Sequence, residues 1–145
     1  MRKILSLVIF ILLCSVVYSN AWAYFIIALE QGSVLYDKDN ELAKDKPKHK
    51  VYYEVDEQEG IIIRTKVIII KTGEIIPDAA VYQIVSPKEQ QSILSRDRVI
   101  YAVGQPGLNA YELLTIAPKS VMSVKSTGDY VVIFNSKITE RSDVP

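Results

Sequence analysis

Apolar and polar residues alternate with a period of two over most of the chain after residue 24, and the apolar positions hold mainly Ile, Val and Tyr. In one clear example, Val51, Tyr53 and Val55 alternate with Tyr52, Glu54 and Asp56. An extended strand sends successive side chains to opposite faces, so this alternation is typical of a half-buried strand. The pattern predicts an almost all-β domain.

Short clusters of Gly, Pro, Asn and Ser separate the predicted strands. The strands cover residues 24–30, 33–36, 51–57, 61–71, 78–85, 99–103, 111–117, 121–125 and 130–138. The polar segment 37–50 predicts a solvated loop, 88–98 fits either a loop or one helical turn, and 139–145 predicts a frayed tail. About seven to nine short strands at this spacing favour an antiparallel β-sandwich, with a closed barrel as the alternative architecture.

The strand at 61–71 is the most β-prone segment of the chain. Its odd positions hold Ile61, Ile63, Thr65, Val67 and Ile69, which predicts that these residues share one face. Arg64 and Lys66 mark the middle of the other face. Because charged side chains are rarely buried without a partner, we expect that face to be wet.

The N-terminus has the three-part layout of a secretory signal peptide. Arg2 and Lys3 precede an apolar run from residue 4 to 17, and a small-x-small sequence ends at Ala23. The prediction is a signal peptide helix at 1–23, followed by one domain at 24–145. Two alternatives remain, an uncleaved N-terminal anchor at 4–29 and a lipoprotein acylated on Cys14.

Cysteine content and charge exclude several classes of function. Cys14 is the only cysteine and lies inside the predicted signal peptide, so the domain has no disulfide framework and no thiol nucleophile. Removing residues 1–23 leaves 15 basic against 17 acidic residues, a net charge of −2 with His49 neutral. This balance argues against nucleic acid as the partner, because phosphate binding requires a basic surface.

Two short motifs resemble those of exported bacterial immunoglobulin-like domains. In the first, "TKVIII" is followed by "KTGEIIPDAAVYQIV", a strand that runs into a polar-Gly turn, a Pro and a Val-rich strand. In the second, "STGDYVVIF", a glycine stands two residues before the tyrosine that opens an alternating strand. The resemblance implies an exported Ig-like sandwich of unassigned subtype.

The paired alanines of the first motif predict close packing. Pro77 cannot donate a backbone hydrogen bond, which places strand entry near Asp78. Small side chains at Ala79 and Ala80 would then let the strand pass close to a neighbouring segment, where Ile would clash. We interpret the motif as a feature of the fold rather than of a functional site.

The sequence contains no motif for catalysis or for a cofactor. His49 is the only histidine, and its Lys-rich surroundings predict a solvated side chain, so no triad or multi-histidine metal site is expected. Asp37, Asp39 and Glu41 resemble the start of a calcium loop, but the loop's later Gly and Glu positions hold Leu42 and Lys48. We therefore expect a protein that is not an enzyme and has no metal or other cofactor.

Candidate partner-binding residues lie in the polar segment and the strand after it. Lys44, Lys46, Lys48 and Lys50 recur at every second position and would project to one side of an extended chain. Tyr52 lies on the polar face of its strand, where an exposed aromatic ring could anchor a partner. A solvated loop with interleaved acids is the competing explanation for the lysines.

The hypothesis that follows is a small exported, non-catalytic binding or scaffolding module of the cell envelope, periplasmic or secreted. Its expected partner is another envelope protein or a surface polymer, with no nucleic acid, and with membrane contact only through an uncleaved N-terminus. Two alternatives remain open: a periplasmic carrier of a small ligand or metal, and a membrane-anchored accessory subunit.

Overall fold

The computed structural model describes residues 23–37, 42–44, 48–86 and 99–143. Residues 1–22 of the predicted signal peptide and the undecided segment 88–98 lie outside these ranges. The described residues form strands and turns only, so the predicted all-β class is confirmed. None of the described segments is a helix with the length and hydropathy of a membrane span.

Ten strands are present in the described part of the chain. They are β1 (Ala23–Asp37), β2 (Leu42–Lys44), β3 (His49–Asp56), β4 (Ile61–Ile69), β5 (Ile75–Ile76), β6 (Ala80–Ile84), β7 (Ile100–Gly107), β8 (Ala110–Ile116), β9 (Ser120–Ser126) and β10 (Tyr130–Asp143). The short strands β2 and β5 lie beside β1 and β4. The predicted loop at 37–50 is therefore wrong in part, because β2 and the start of β3 fall within it.

The other eight strands form a closed antiparallel barrel. Neighbours pair in the order β1, β3, β4, β6, β7, β8, β9, β10, and β10 then pairs with β1. Closure depends on the two longest strands, since β1 pairs with β10 from Tyr24↔Asp143 to Asp37↔Tyr130. A barrel of this size has an interior that side chains fill, or that holds one small ligand.

The predicted antiparallel Ig-like β-sandwich is wrong. Two sheets of a sandwich keep free edges, whereas here the β1–β10 pairing joins the first strand to the last. The predicted tail is wrong as well, because residues 139–143 continue β10 and pair with the start of β1. The closed barrel, named above as the alternative architecture, is the observed fold.

The apolar core occupies the end of the barrel where β1 begins. Successive strands bring Tyr24 opposite Val55, Val55 opposite Ile62, and Ile62 opposite Tyr82. Further inward residues complete the cluster on the far wall: Ile100, Ala102, Leu114, Ile116 and Val121. This packing fills one end, so any site inside the barrel must lie towards the other end.

A bulge in β4 turns Arg64 into the barrel. Tyr53 pairs with Arg64 and Tyr52 pairs with Lys66, which leaves Thr65 as an extra residue between them. The inward positions therefore change from even to odd at this point, and Arg64 is only 5 % exposed while Thr65 faces solvent. The prediction that Arg64 lies on a wet face is wrong.

Small residues beside β6 make room for the large interior side chains. Ala80 is buried and pairs directly with Arg64. Gly104 of β7 pairs with Tyr82, and a Cβ atom at Gly104 would come within 2.6 Å of Tyr82 Cδ1. The predicted close packing therefore holds for Ala80, whereas Ala79 is exposed.

Candidate functional site

An ion pair between Arg64 of β4 and Glu112 of β8 crosses the barrel interior. Arg64 Nη1 donates to both carboxylate oxygens of Glu112, at 3.0 and 2.9 Å. The two side chains are 6 % and 1 % exposed, so the pair is shielded from water. Because removing ions from water costs several kcal/mol per ion, such a pair requires further hydrogen bonds around it.

Two hydroxyl groups supply these further bonds to Glu112. Tyr82 Oη donates to Glu112 Oε2 at 2.9 Å, and the Ser123 hydroxyl donates to Oε1. Together with Arg64, these donors come from three different strands of the barrel wall. Each oxygen of the carboxylate thus has two donors, and the Glu112 side chain is fixed in place.

Asp78 holds the other side of the Arg64 guanidinium. Arg64 Nε donates to the Asp78 backbone oxygen and Nη2 donates to Oδ1, both at 3.0 Å. Asp78 lies in the segment that connects β5 to β6, and 35 % of its side chain is exposed. The Arg64 guanidinium is therefore bound to two carboxylates, one buried and one near solvent.

The interior setting raises the pKa of several groups. Burial raises the pKa of Tyr82 and of Tyr53 above the ordinary tyrosine value, with the Glu112 charge adding to both and the Arg64 charge opposing it. For Arg64, burial alone would lower the pKa, but Glu112, Tyr82 and Asp78 together raise it above its usual range. Arg64 thus stays charged and both phenols stay neutral.

A cavity of about 100 Å³ lies next to this network and borders the apolar core at Tyr53 and Val121. Its lining combines charged, hydroxyl, aromatic and aliphatic side chains: Glu30, His49, Val51, Tyr53, Arg64, Val67, Ile76, Asp78, Glu112, Val121, Ser123, Phe134 and Ser136. Asp78 and His49 are partly exposed, which places the mouth of the cavity at their end of the barrel. The volume is several times what one ordered water needs.

A part-buried contact between the Glu30 and His49 side chains lies at the cavity wall. His49 Nδ1 lies 2.5 Å from Glu30 Oε2, and the His49 backbone N–H donates to the same oxygen at 3.1 Å. When the Glu30 carboxylate is ionised it can only accept hydrogen bonds, and Nδ1 is then the donor of this contact. The sequence-based prediction of a solvated His49 is wrong, since its side chain is 17 % exposed and pairs with a carboxylate.

Two oxygen atoms on facing strands of the lining have no hydrogen-bond partner among the described residues. They are Glu30 Oε1 and the Ser136 hydroxyl, whose residues pair directly across β1 and β10. Asp78 Oδ2 also has no such partner, but it belongs to a side chain that is 35 % exposed. Glu30 is 2 % exposed and Ser136 is 7 % exposed. Because every fully enclosed side-chain oxygen or nitrogen in the described ranges has a partner, these two atoms must reach the cavity surface.

The described lining carries more negative than positive charge. Glu30, Asp78 and Glu112 are the acids, and Arg64 is the permanent base. His49 adds at most one positive charge. Each guanidinium nitrogen of Arg64 donates to Glu112 or Asp78, and Glu30 is the most buried lining acid with an oxygen that lacks a donor among the described residues.

The residues singled out from the sequence for partner binding lie elsewhere. Tyr52 is half-buried on the outer surface of β3, and its ring centroid is 5.4 Å from Lys50 Nζ and 5.5 Å from Lys66 Nζ. Lys48 is exposed, Lys44 belongs to β2, and Lys46 lies outside the described residues. Partner binding by Tyr52 and these lysines stays a prediction. The Tyr52 ring already has cation–π contacts with Lys50 and Lys66.

An exposed apolar surface covers the opposite wall, on β6 to β9. Val103 pairs with Leu113, which pairs with Val124, and the next row contains Tyr101, Thr115 and Met122. Tyr111 is 61 % exposed and Leu113 is 55 % exposed. We call this surface the outer apolar face and define it as Val81, Tyr101, Val103, Tyr111, Leu113 and Met122. Contiguous apolar surface of this kind marks interaction sites in many proteins.

Sequence reasoning missed the interior charged residues. Glu112 shares the inward row of β8 with Ala110, Leu114 and Ile116. Glu30 shares the inward row of β1 with Ile26 and Ala28. A charged residue within an apolar row was thus the available signal. This signal is weak in β8, because the outer face of the strand carries Tyr111 and Leu113 and is also apolar. The sequence therefore does not show which face of β8 points outwards.

Within the described ranges, no group of three or more His, Cys, Asp or Glu residues could hold a metal ion. No protein-family model, curated protein or solved structure matches the chain. The resemblance to exported Ig-like domains thus rests on two short motifs, and the closed barrel replaces the sandwich that it implied.

Proposed function

We propose that the protein is a small exported, non-catalytic binding protein that takes up a small ligand inside its barrel. The cavity carries the proposal, because it joins aliphatic and aromatic walls to a few fixed polar groups, as small-molecule sites do. The network around Arg64 and Glu112 forms the floor of the cavity, and both carboxylate oxygens of Glu112 accept hydrogen bonds. Such a preorganised wall reduces the entropy lost on binding.

Export to the periplasm or the medium is part of the proposal. Strand β1 begins at Ala23, so cleavage after this residue would remove only the first residue of the strand. An anchor at 4–29 would require residues 23–29 in the membrane, whereas these residues pair with β3 and with β10. The mass of the exported protein tests this, since a species that begins at Tyr24 is expected and a chain that retains residues 1–22 would contradict it.

Thermal-shift screening tests ligand binding. A ligand that binds only the native state raises the melting temperature. The increase grows with the ratio of the ligand concentration to Kd. The panel should contain small amines, alcohols, carboxylic acids, sugars and divalent cations. We expect at least one class to raise the Tm of the purified protein, and no shift with any class would contradict the proposal.

Variants locate the binding. Val67→Phe introduces a ring from a cavity-lining position and should abolish the shift, whereas Ile63→Phe on the outer surface of the same strand should leave it intact. Val51→Phe provides a second blocking variant if Val67→Phe does not fold. A shift that survives both blocking variants would place the ligand outside the cavity.

A second candidate function is binding of another envelope protein through the outer apolar face. Its support is the row of exposed Val103 and Leu113 with Tyr111 beside them. Cross-linking of the tagged protein in its own envelope should capture a partner, and Leu113→Lys should prevent capture. Leu108→Lys is the matched control, because Leu108 is 97 % exposed at the β7–β8 turn and outside this face.

A further inference from the structure

The cavity is lined by one deeply buried carboxylate oxygen that has no donor from the described residues. This atom is Glu30 Oε1, on a side chain that is only 3 % exposed. His49 binds the other oxygen of the same carboxylate through both its backbone and its ring. Glu30 is therefore held in position while one of its oxygens faces the cavity.

We propose that the cavity binds a small organic cation, a primary amine with a short hydrocarbon chain, whose ammonium group donates to Glu30 Oε1. This inference rests on the proposed binding function and specifies its ligand class. Ser136 lies directly opposite Glu30 across the β1–β10 pair, so its hydroxyl is available as a second acceptor for the same group. An N–H⁺ to carboxylate bond is about twice as strong as a neutral one.

The charge of the lining favours a cation over an anion. Three carboxylates line the cavity against one guanidinium, and that guanidinium is already bound by Glu112 and Asp78. An anionic ligand would have to compete with these two carboxylates for Arg64. An amine meets a free oxygen and leaves both pairs intact.

The remaining walls define the rest of the ligand. Val51, Val67 and Ile76 provide aliphatic contacts, and Tyr53 and Phe134 contribute aromatic rings. Aliphatic walls favour a hydrocarbon body, and aromatic faces add attraction for a cation that lies over them. A short alkylamine satisfies both requirements within about 100 Å³.

The test compares three compounds that share a four-carbon chain and differ in their polar group. Butylamine, butanol and butyrate are titrated into the purified full-length protein, and binding is followed by thermal shift and by calorimetry. We expect butylamine to bind at least about tenfold more tightly than the other two, which corresponds to a charged hydrogen bond. Glu30→Gln should lose this preference, whereas Glu54→Gln, on the outer surface of β3, should keep it.

The outcomes separate the two proposals. If butanol or butyrate binds as tightly as butylamine, or if only calcium or zinc chloride binds, the amine inference is wrong while the binding function stands. If no compound of the screening panel binds, both are wrong. Ser136→Ala provides a variant that does not disturb an ion pair, and an unchanged butylamine affinity in it would remove Ser136 from the proposed site.

Discussion

Arg64 and Glu112 form a bidentate ion pair through the interior of the barrel, although β4 and β8 are separated by two other strands of the wall. Each partner would be a buried, uncompensated charge without the other. The pair therefore links distant parts of the wall and at the same time forms the floor of the candidate cavity. Stability and the shape of the site depend on the same two side chains.

The first prediction concerns this pair. Arg64→Met leaves the Glu112 carboxylate buried without its cation and should lower the free energy of unfolding by about 3–5 kcal/mol. The double variant Arg64→Met/Glu112→Leu should lose less than the sum of the two single variants, because it leaves no lone charge. Urea denaturation measures all three.

Lys66→Met is the control for the Arg64 variant, since Lys66 lies two residues further along the same strand but on the outer surface. We expect it to change stability by less than about 1 kcal/mol. Equal effects of Arg64→Met and Lys66→Met would mean that the interior pair contributes no more than a surface charge.

The second prediction concerns the contact between Gly104 and Tyr82. A Cβ atom at Gly104 would lie 2.6 Å from the Tyr82 ring and 2.8 Å from the Val81 backbone oxygen. Gly104→Ala should therefore cost about 1–3 kcal/mol through overpacking. Gly107→Ala is the matched control on the same strand, because nothing lies within 4 Å of its added Cβ. Similar stabilities of the two variants in denaturant would rule out the close packing.

The third prediction concerns the paired alanines. Ala80 is buried opposite Arg64, whereas the preceding Ala79 is exposed. Ala80→Leu should destabilise the protein by roughly 1–3 kcal/mol, and Ala79→Leu should be nearly neutral. Thermal unfolding of the two variants side by side tests this, and a neutral Ala80→Leu would show that the site can accept a larger side chain.

The fourth prediction concerns alkaline pH. Burial raises the folded-state pKa of Tyr53 and Tyr82 above the value of about 10 for free tyrosine. A raised pKa means that their contribution to stability is complete below pH about 10 and is lost as the pH rises towards the folded-state pKa. Each phenol contributes a slope of up to about 1.4 kcal/mol per pH unit in that range.

Urea denaturation between pH 8 and 11 measures this slope. Tyr82→Phe removes one of the two groups and should make the fall in stability less steep, although the variant is less stable at pH 8 because Glu112 loses a donor. Tyr111→Phe, at an exposed position on β8, should leave the slope unchanged. An unchanged slope in Tyr82→Phe would contradict the raised pKa.

The period-two pattern predicted the all-β class and the approximate positions of most strands, because each strand has one buried face. It did not predict closure, since closure depends on which strands pair, and alternation within one strand does not identify its neighbours. It also interpreted the polar residues 139–143 as a tail, although they extend the pairing of β10 with β1. It also placed Arg64 on the wrong face. The bulge at Thr65 shifts the inward positions by one, and nothing in the local alternation marks it.

The candidate site was unpredictable for a related reason. Glu30, Arg64 and Glu112 are far apart in sequence and meet only because the barrel closes around them. Each has a partner that neutralises part of its cost of burial, so each can occupy an apolar row. A sequence pattern identifies residues that would be costly to bury, but it contains no information on the partners that reduce this cost.

The last prediction tests the terminal part of the β1–β10 pairing that closes the barrel. A chain that ends after Ile138 lacks the four pairs that join Tyr24, Phe25, Ile26 and Ile27 to residues 140–143, and it also lacks the hydrogen bond from Thr139 Oγ1 to the Ile27 backbone oxygen. With each hydrogen bond contributing about 0.5–1.5 kcal/mol, stability should fall by roughly 2–6 kcal/mol. A chain that ends after Asp143 keeps every one of these pairs and is the control.

Hydrogen exchange gives the same test at the level of single residues. Backbone amides of an antiparallel strand alternate between its two neighbours, and the first half of β1 lies between β3 and β10. Shortening the chain should therefore remove protection from alternate amides of residues 24–27, those directed at β10, while the amides directed at β3 stay protected. Unchanged protection of residues 24–27 in the shortened chain would contradict the pairing of this part of β1 with residues 140–143.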